Sequence, residues 1–137
     1  MRIEALDHVN IRCPDVAATI NFFSDVLGMK ATLTPGMTDM SEAAWICDAE
    51  GRAVVHVGKG TLLYPFEDAA VANITQPEGS GRLHHVALRC TGFAEMERRL
   101  QDKKLTFHTN EVPQIGLRQI FVYEPNGILL ELNFFAD

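Results

Sequence analysis

Apolar and polar residues alternate through Leu6-Asp-His-Val-Asn-Ile-Arg-Cys13, and the alternation returns in Leu83-His-His-Val-Ala-Leu-Arg-Cys90, 77 residues further on. A period of two is the pattern of a strand, with Leu6, His8, Asn10 and Arg12 on one face and Val9 and Ile11 on the other. The second copy divides His85 and Arg89 from Val86 and Leu88 in the same way. One face is apolar enough to pack under a helix. The other carries imidazole and guanidinium groups that need partners wherever they are buried. After the first copy, Asp15 reads as a helix N-cap, Val16, Ile20, Phe23 and Leu27 as one apolar stripe, and Gly28 as the stop. Met29 to Thr34 reads as a short strand and Pro35 to Glu42 as a loop. Ala43–Cys47 and Ala53–Val57 read as a hairpin turning over Asp48 to Arg52.

The second half predicts the same order. A helix with Phe93, Met96 and Leu100 inward ends near Lys103 and Lys104, whose charge suits the negative end of its dipole. Strands follow at Leu105–Thr109, Leu117–Tyr123 and Ile128–Phe134, the last two joined by Glu124-Pro-Asn-Gly127. Leu6–Gly28 and Leu83–Leu105 share seven identities. An internal duplication explains them best. In the hairpins the match holds to one residue only, because aligning Gly51 with Gly127 and aligning His56 with Glu131 differ by one position. The prediction is an α+β fold of two paired βαβββ modules, residues 4–60 and 82–136, forming a curved sheet in a single domain over residues 1–137. Gly58 to Arg82 connects the halves without sustained periodicity and reads either as a plain linker or as cover for a pocket.

Composition narrows the functional classes. A net charge of −6 with no basic run argues against nucleic acid as a partner. No apolar stretch approaches the ~20 residues of a membrane span, and no signal-peptide core precedes the first strand. A cytoplasmic protein is therefore expected. Three widely spaced cysteines suit reduced thiols there. Open sheet edges need cover, which predicts a homodimer.

Candidate chemistry lies in His8 and His85 on the first strands of the two copies, and in His56 and Glu131 on the last. Val55-His56-Val57 and Leu130-Glu131-Leu132 each set one polar group in an apolar strand, where an unpaired charge is costly. Each alone has an ordinary explanation: a hydrogen-bonded structural histidine, or Glu131 in an ion pair with Arg12 or Arg89. Four such residues at equivalent places of a repeat point instead to a divalent metal, whose usual ligands are imidazole nitrogen and carboxylate oxygen. His84 and His108 lack that support and read as ordinary surface residues.

The chain resembles the vicinal oxygen chelate superfamily, which includes glyoxalase I, methylmalonyl-CoA epimerase, fosfomycin-resistance proteins and extradiol dioxygenases. The resemblance rests on Leu6-Asp-His8-Val, Leu83-His-His85-Val and Glu124-Pro-Asn-Gly-Ile-Leu-Leu-Glu131-Leu. It implies paired βαβββ modules around one divalent metal per site (Zn, Ni, Co, Mn or Fe(II)), with His8, His56, His85 and Glu131 as ligands. Extradiol dioxygenases leave the place of His56 without a ligand and have Tyr where Phe121 stands, whereas glyoxalase I and the epimerase fill all four places, typically with Glu or Gln at His56.

The resemblance therefore implies a glyoxalase-type enzyme moving a proton, as isomerase, epimerase or lyase, on a small substrate chelated through adjacent oxygens. Glu131 is the expected base, and His56 either a second proton carrier or a fourth ligand. Arg12, Arg89 and Gln119 are candidates for recognising an anionic substrate. Trp45 and Phe121, with Tyr123 as a further candidate, either wall the pocket or fill the core. Two alternatives stand beside this reading: an Fe(II)-dependent extradiol-type dioxygenase using His8, His85 and Glu131, and a metal-free resistance protein that sequesters a ligand.

Overall fold

The computed structural model describes residues 1–60, 81 and 83–136. The chain divides into two compact units, Met1–Gln76 and Pro77–Asp137. The first contains β1 (Val9–Cys13), α1 (Val16–Asn21), a π-helical turn over Phe22–Val26, β2 (Lys30–Thr32), β3 (Ala43–Cys47) and β4 (Ala53–Lys59). Its sheet runs β1-β4-β3-β2, with β1 parallel to β4 and the other neighbours antiparallel. The second contains β5 (Val86–Cys90), α2 (Phe93–Asp102), β6 (Phe107–Val112), a 3-10 turn over Pro113–Ile115, β7 (Leu117–Tyr123) and β8 (Leu129–Phe135). Its sheet repeats the order as β5-β8-β7-β6. The fold is α+β, and each unit is β-α-β-β-β as the repeat predicts.

Several boundaries differ from expectation for local reasons. β1 and β5 begin at Val9 and Val86, where pairing with β4 and β8 starts. His8 and His85 therefore stand one residue ahead of their strands rather than within them. β4 runs to Lys59, because the ladder to β1 continues to Cys13↔Lys59. The rest of the expected connection, except Gly60 and Gly81, lies outside the described residues. β6 starts at Phe107 rather than Leu105, because Lys104 (φ 55) and a bond from Leu105 N–H to the Leu100 carbonyl first close off α2. β8 starts one residue later than expected, and β2 is only three residues long.

The first helix buries Val16, Thr19, Phe22, Phe23 and Val26, rather than the stripe through Ile20 and Leu27, which are half-buried. The π-helical turn is the cause: Leu27 N–H bonds the Phe22 carbonyl five residues back, so the wider turn carries later residues round the axis. Thr19 is fully buried without penalty because its hydroxyl donates to the Asp15 carbonyl at 3.2 Å. Asp15 caps α1 as expected, its carboxylate accepting from Ala18 N–H at 2.9 Å. In α2 only Leu100 is buried, with Phe93 and Met96 at the margin. Phe23 and Ile46 are sealed in the first unit, Ile120, Leu132 and Leu100 in the second. Burying each such side chain stabilises by about 1.5–3 kcal/mol.

The hairpin ambiguity resolves at a β-bulge. In the first unit the ladder passes from Ile46↔Val55 to Cys47↔Ala53, so Val54 is an extra residue on β4. The second ladder runs Val122↔Leu130 to Tyr123↔Leu129 without interruption. Gly51 and Gly127 therefore correspond, and so do His56 and Glu131. Both turns are held alike. Asp48 accepts from the backbone of Glu50 and Arg52, at 3.0 and 2.9 Å. Glu124, 2% exposed, accepts from the backbone of Asn126 at 2.7 Å and of Ile128 at 3.0 Å, and from Asn126 Nδ2 at 2.8 Å. Glu124→Ala leaves those donors without an acceptor, and thermal unfolding should register a loss of about 2–4 kcal/mol. An unchanged midpoint would show that water replaces the carboxylate freely.

Candidate metal and proton-transfer site

In the first unit three aromatic rings lie face to face. His56 stands between Asn10 of β1 and Trp45 of β3 in the ladder. Its imidazole stacks on the Trp45 ring at 4.6 Å and 8°, and on the His8 ring at 3.8 Å and 16°. His8 is oriented from behind, with Nδ1 2.6 Å from Asp7 Oδ2, which leaves Nε2 as its outward nitrogen. The His56 pKa is lowered, first by burial and then by the neighbouring charge of His8, against smaller opposing effects from the Ala53 backbone and Asp7. Nitrogen lone pairs lie in the ring plane, and two nearly parallel planes do not converge on one ion at the ~2.1 Å of a metal–nitrogen bond. With the rings so stacked, His8 and His56 do not aim at a common ion.

The single tryptophan of the chain makes this stack measurable. A protonated imidazole against the indole quenches its fluorescence, so Trp45 emission in chelator-treated protein should titrate with a midpoint below the ordinary histidine value of about 6.5. His56→Ala should abolish the step. His8→Ala should move it up, because both the repulsion and part of the burial go. The linkage has a definite sign. Below about pH 6.5 the unfolded chain takes up the proton before the folded one, so the stability contributed by neutral His56 declines as pH falls through that window. A midpoint at or above 6.5 would contradict the stacked arrangement.

The second unit builds a hydrogen-bonded carboxylate at the equivalent place. Glu131 faces Ala87 of β5 and Phe121 of β7. Its Oε2 lies 3.2 Å from His85 Nε2, and its Oε1 accepts from Gln119 Nε2 at 2.8 Å. Two neighbouring ligands of an octahedral ion with bonds of about 2.1 Å stand about 3 Å apart, so this pair has the spacing of a shared ion. His85 Nδ1 lies 2.9 Å from His84 Nδ1. Asp7 and His84 thus do the same thing in the two copies, each fixing the Nδ1 side of the histidine that follows. Both were missed from the sequence, although Leu-Asp-His and Leu-His-His show a polar residue at that place in both repeats.

The donor set therefore appears as two pairs, His8 with His56 and His85 with Glu131. Among the described residues no group of three or more His, Cys, Asp or Glu side chains is gathered. Of the two pairs, His85 with Glu131, an imidazole and a carboxylate donor 3.2 Å apart, fits two positions of a divalent ion of intermediate hardness. The remaining candidates are placed as follows. Arg12 is half-buried and donates to the Gly60 carbonyl at 3.4 Å. Arg89 is exposed, its guanidinium 4.6 Å from the centre of the Phe135 ring, so Glu131 is held by His85 and Gln119 rather than by Arg89. Trp45 and Phe121 are half-buried, while Tyr123 is 63% exposed. Gln119 is buried, and its amide is engaged with Asn110, Glu131 and Asn133 rather than presented to solvent. Cys13, Cys47 and Cys90 are free thiols, and burial pushes Cys90 up to about 11, too high for a nucleophile at neutral pH.

Fold and donor set define a class, duplicated βαβββ proteins with ligand-type side chains on the last strand of each unit. The chain belongs to the Glyoxalase/Bleomycin resistance protein/Dioxygenase superfamily, whose family model matches residues 5–132. It is 23% identical over 135 residues to Glyoxylase I 4 of Arabidopsis thaliana, covering 96% of this chain and 71% of that protein. It is 25% identical over 140 residues to the mitochondrial methylmalonyl-CoA epimerase of Mus musculus, covering 96% and 73%. Among solved structures, a glyoxalase/dioxygenase from Nostoc punctiforme superposes with a TM-score of 0.71 at 16% identity, covering 97% of this chain and 92% of that one. A mutant of the fosfomycin resistance protein FosX from Listeria monocytogenes, complexed with Mn(II) and 1S,2S-dihydroxypropylphosphonic acid, superposes with a TM-score of 0.68 at 17% identity, covering 98% and 95%. No helix among the described residues is long and apolar enough to cross a membrane.

Proposed function

We propose that the protein is a metal-dependent enzyme of the glyoxalase type, an isomerase, epimerase or lyase that moves a proton next to a carbonyl on a small substrate with adjacent oxygens. His8, His85 and Glu131 are the ligands in this reading, and His56 is the acid–base group. A divalent ion held there by His8, His85 and Glu131 would supply the Lewis acid that polarises a substrate carbonyl and makes the neighbouring carbon more acidic. Glu131, its Oε1 held by Gln119, would release the ion from Oε2 and take the proton on that freed oxygen. His56 carries the second proton, and burial favours its neutral, proton-accepting form. Arg12 and Arg89, at equivalent places of the repeat, take an anionic group of the substrate, and Trp45 and Phe121 wall the pocket. The working form is a homodimer, which light scattering checks directly.

The observation that carries this choice is His56 itself. Its ring is stacked parallel to His8 rather than aimed with it at a common point, which supports a proton-carrying role over a fourth coordination bond. A ring-cleaving dioxygenase needs only His8, His85 and Glu131 on Fe(II), with His56 idle. An oxygen electrode distinguishes the two. With Fe(II)-loaded protein and catechols, no oxygen uptake is expected. Uptake that survives His56→Ala would overturn the proposal, because three ligands would then suffice and the fourth place would be dispensable.

A further inference from the structure

We propose that Gln119 is a positioning residue for Glu131, deciding which carboxylate oxygen is offered to the metal and in what direction; the proposal rests on the metal-dependent reading above. Gln119 is 8% exposed and faces Asn133 in the β7–β8 ladder, two residues from the Phe121↔Glu131 pair. Both protons of its Nε2 are used, one on Glu131 Oε1 at 2.8 Å and one on Asn133 Oδ1 at 3.0 Å. Its own Oε1 accepts from Asn110 Nδ2 at 2.8 Å. An ionised carboxylate only accepts hydrogen bonds, so the nitrogen end of Gln119 must face Glu131, and Asn110 must then donate. One carboxylate thus fixes the orientation of the whole amide chain. In return Glu131 loses the broad terminal rotation that a free glutamate enjoys. Oε1 is tied to β7, and Oε2 is left toward His85.

The other unit lacks this arrangement, so it is particular to one copy rather than a property of the fold. The ladder pair corresponding to Gln119↔Asn133 is Ala43↔Gly58. Neither residue has a side-chain donor to place beneath His56. The duplicated positions have diverged into a stacked imidazole on one sheet and a hydrogen-bonded carboxylate on the other, as two different tasks require.

Gln119→Met keeps length and apolar volume but removes the donors. Titrated with Co(II), metal-free Gln119→Met should bind about 10–100-fold more weakly than the wild type, the usual loss when an outer hydrogen bond to a ligand is removed. The visible absorption of the bound Co(II) should change too, which a packing defect alone would not cause. Gln119→Glu, which sets an acceptor against an acceptor, should lose at least as much. Asn110→Ala removes only the exposed far end of the chain; it should weaken binding less, and it serves if the core variants fail to fold. Affinity within about twofold of wild type in the Gln119 variants, with an unchanged spectrum, would overturn the proposal. If the wild type itself binds no Co(II), it is the functional reading that fails. Nitrogen NMR of the His85 ring in metal-free protein then decides the positioning claim: Gln119→Met should shift it by releasing Glu131, and an unmoved signal refutes the claim.

Discussion

Glu131→Gln is expected to lower kcat by about 10²–10⁴-fold, the range that a positioned acid–base group contributes, while the protein retains much of its metal. The amide still offers an oxygen donor but is far too weak a base to take a carbon-bound proton. His85→Ala serves as contrast, since it should lose metal and rate together. His56→Ala should lower kcat with metal content nearly unchanged, because its ring is stacked on its neighbours rather than aimed with His8 at an ion. The comparison that matters is rate against metal content in each variant. If Glu131→Gln loses metal in proportion to rate, the carboxylate is a ligand without a separate role as base. If His56→Ala loses metal as His85→Ala does, then His56 is a fourth ligand and its ring turns away from the stack when the ion binds.

The second large effect is on metal affinity. His85→Ala should reduce divalent-metal content from about one ion per chain to the background level, because a three-point site deprived of one ligand loses most of its affinity. His84→Ala removes the neighbour whose Nδ1 lies 2.9 Å from that of His85. A ligand's hydrogen-bonded partner is worth less than the ligand, so this variant should bind about 10-fold more weakly rather than not at all. The same order is expected of His8→Ala over Asp7→Ala, since Asp7 stands to His8 as His84 does to His85. Full metal content in His85→Ala would make the His85–Glu131 contact a structural ion pair and remove the ligand assignment.

How legible these features were in the sequence depended on whether a residue's role follows from its own strand. β7 runs Leu117–Tyr123 as expected because Ile120 and Val122 are buried on one face and the strand lies between β8 and β6. His56 and Glu131 stood out because a single polar residue interrupts an apolar run. Their equivalence to within one residue could not be settled, since the extra residue is a bulge at Val54, and a bulge has no signal of its own among three consecutive apolar residues. The π-helical turn displaced the expected helix stripe in a comparable way: Phe22, Phe23 and Val26 fit either spacing, and packing makes the choice. The amide chain Asn110–Gln119–Asn133 was illegible for a different reason. It joins three strands through hydrogen bonds whose partners lie nine and fourteen positions apart, and each member alone looks like an ordinary polar strand residue. The sequence marks Gln119 as a candidate substrate contact; its burial and its spent donors add the positioning role, which no sequence pattern indicates.

Proton NMR in deuterated water tests metal-dependent proton transfer most directly. Candidate hydroxy-ketones, hemithioacetals and acyl thioesters would be followed with metal-loaded protein and again after chelation. The carbon-bound proton signal next to the carbonyl of the true substrate is expected to disappear with loaded protein, to persist after chelation and to persist with Glu131→Gln. Turnover of a substrate with no deuterium incorporated at that carbon, or exchange that continues unchanged after the metal is removed, would contradict metal-dependent proton transfer.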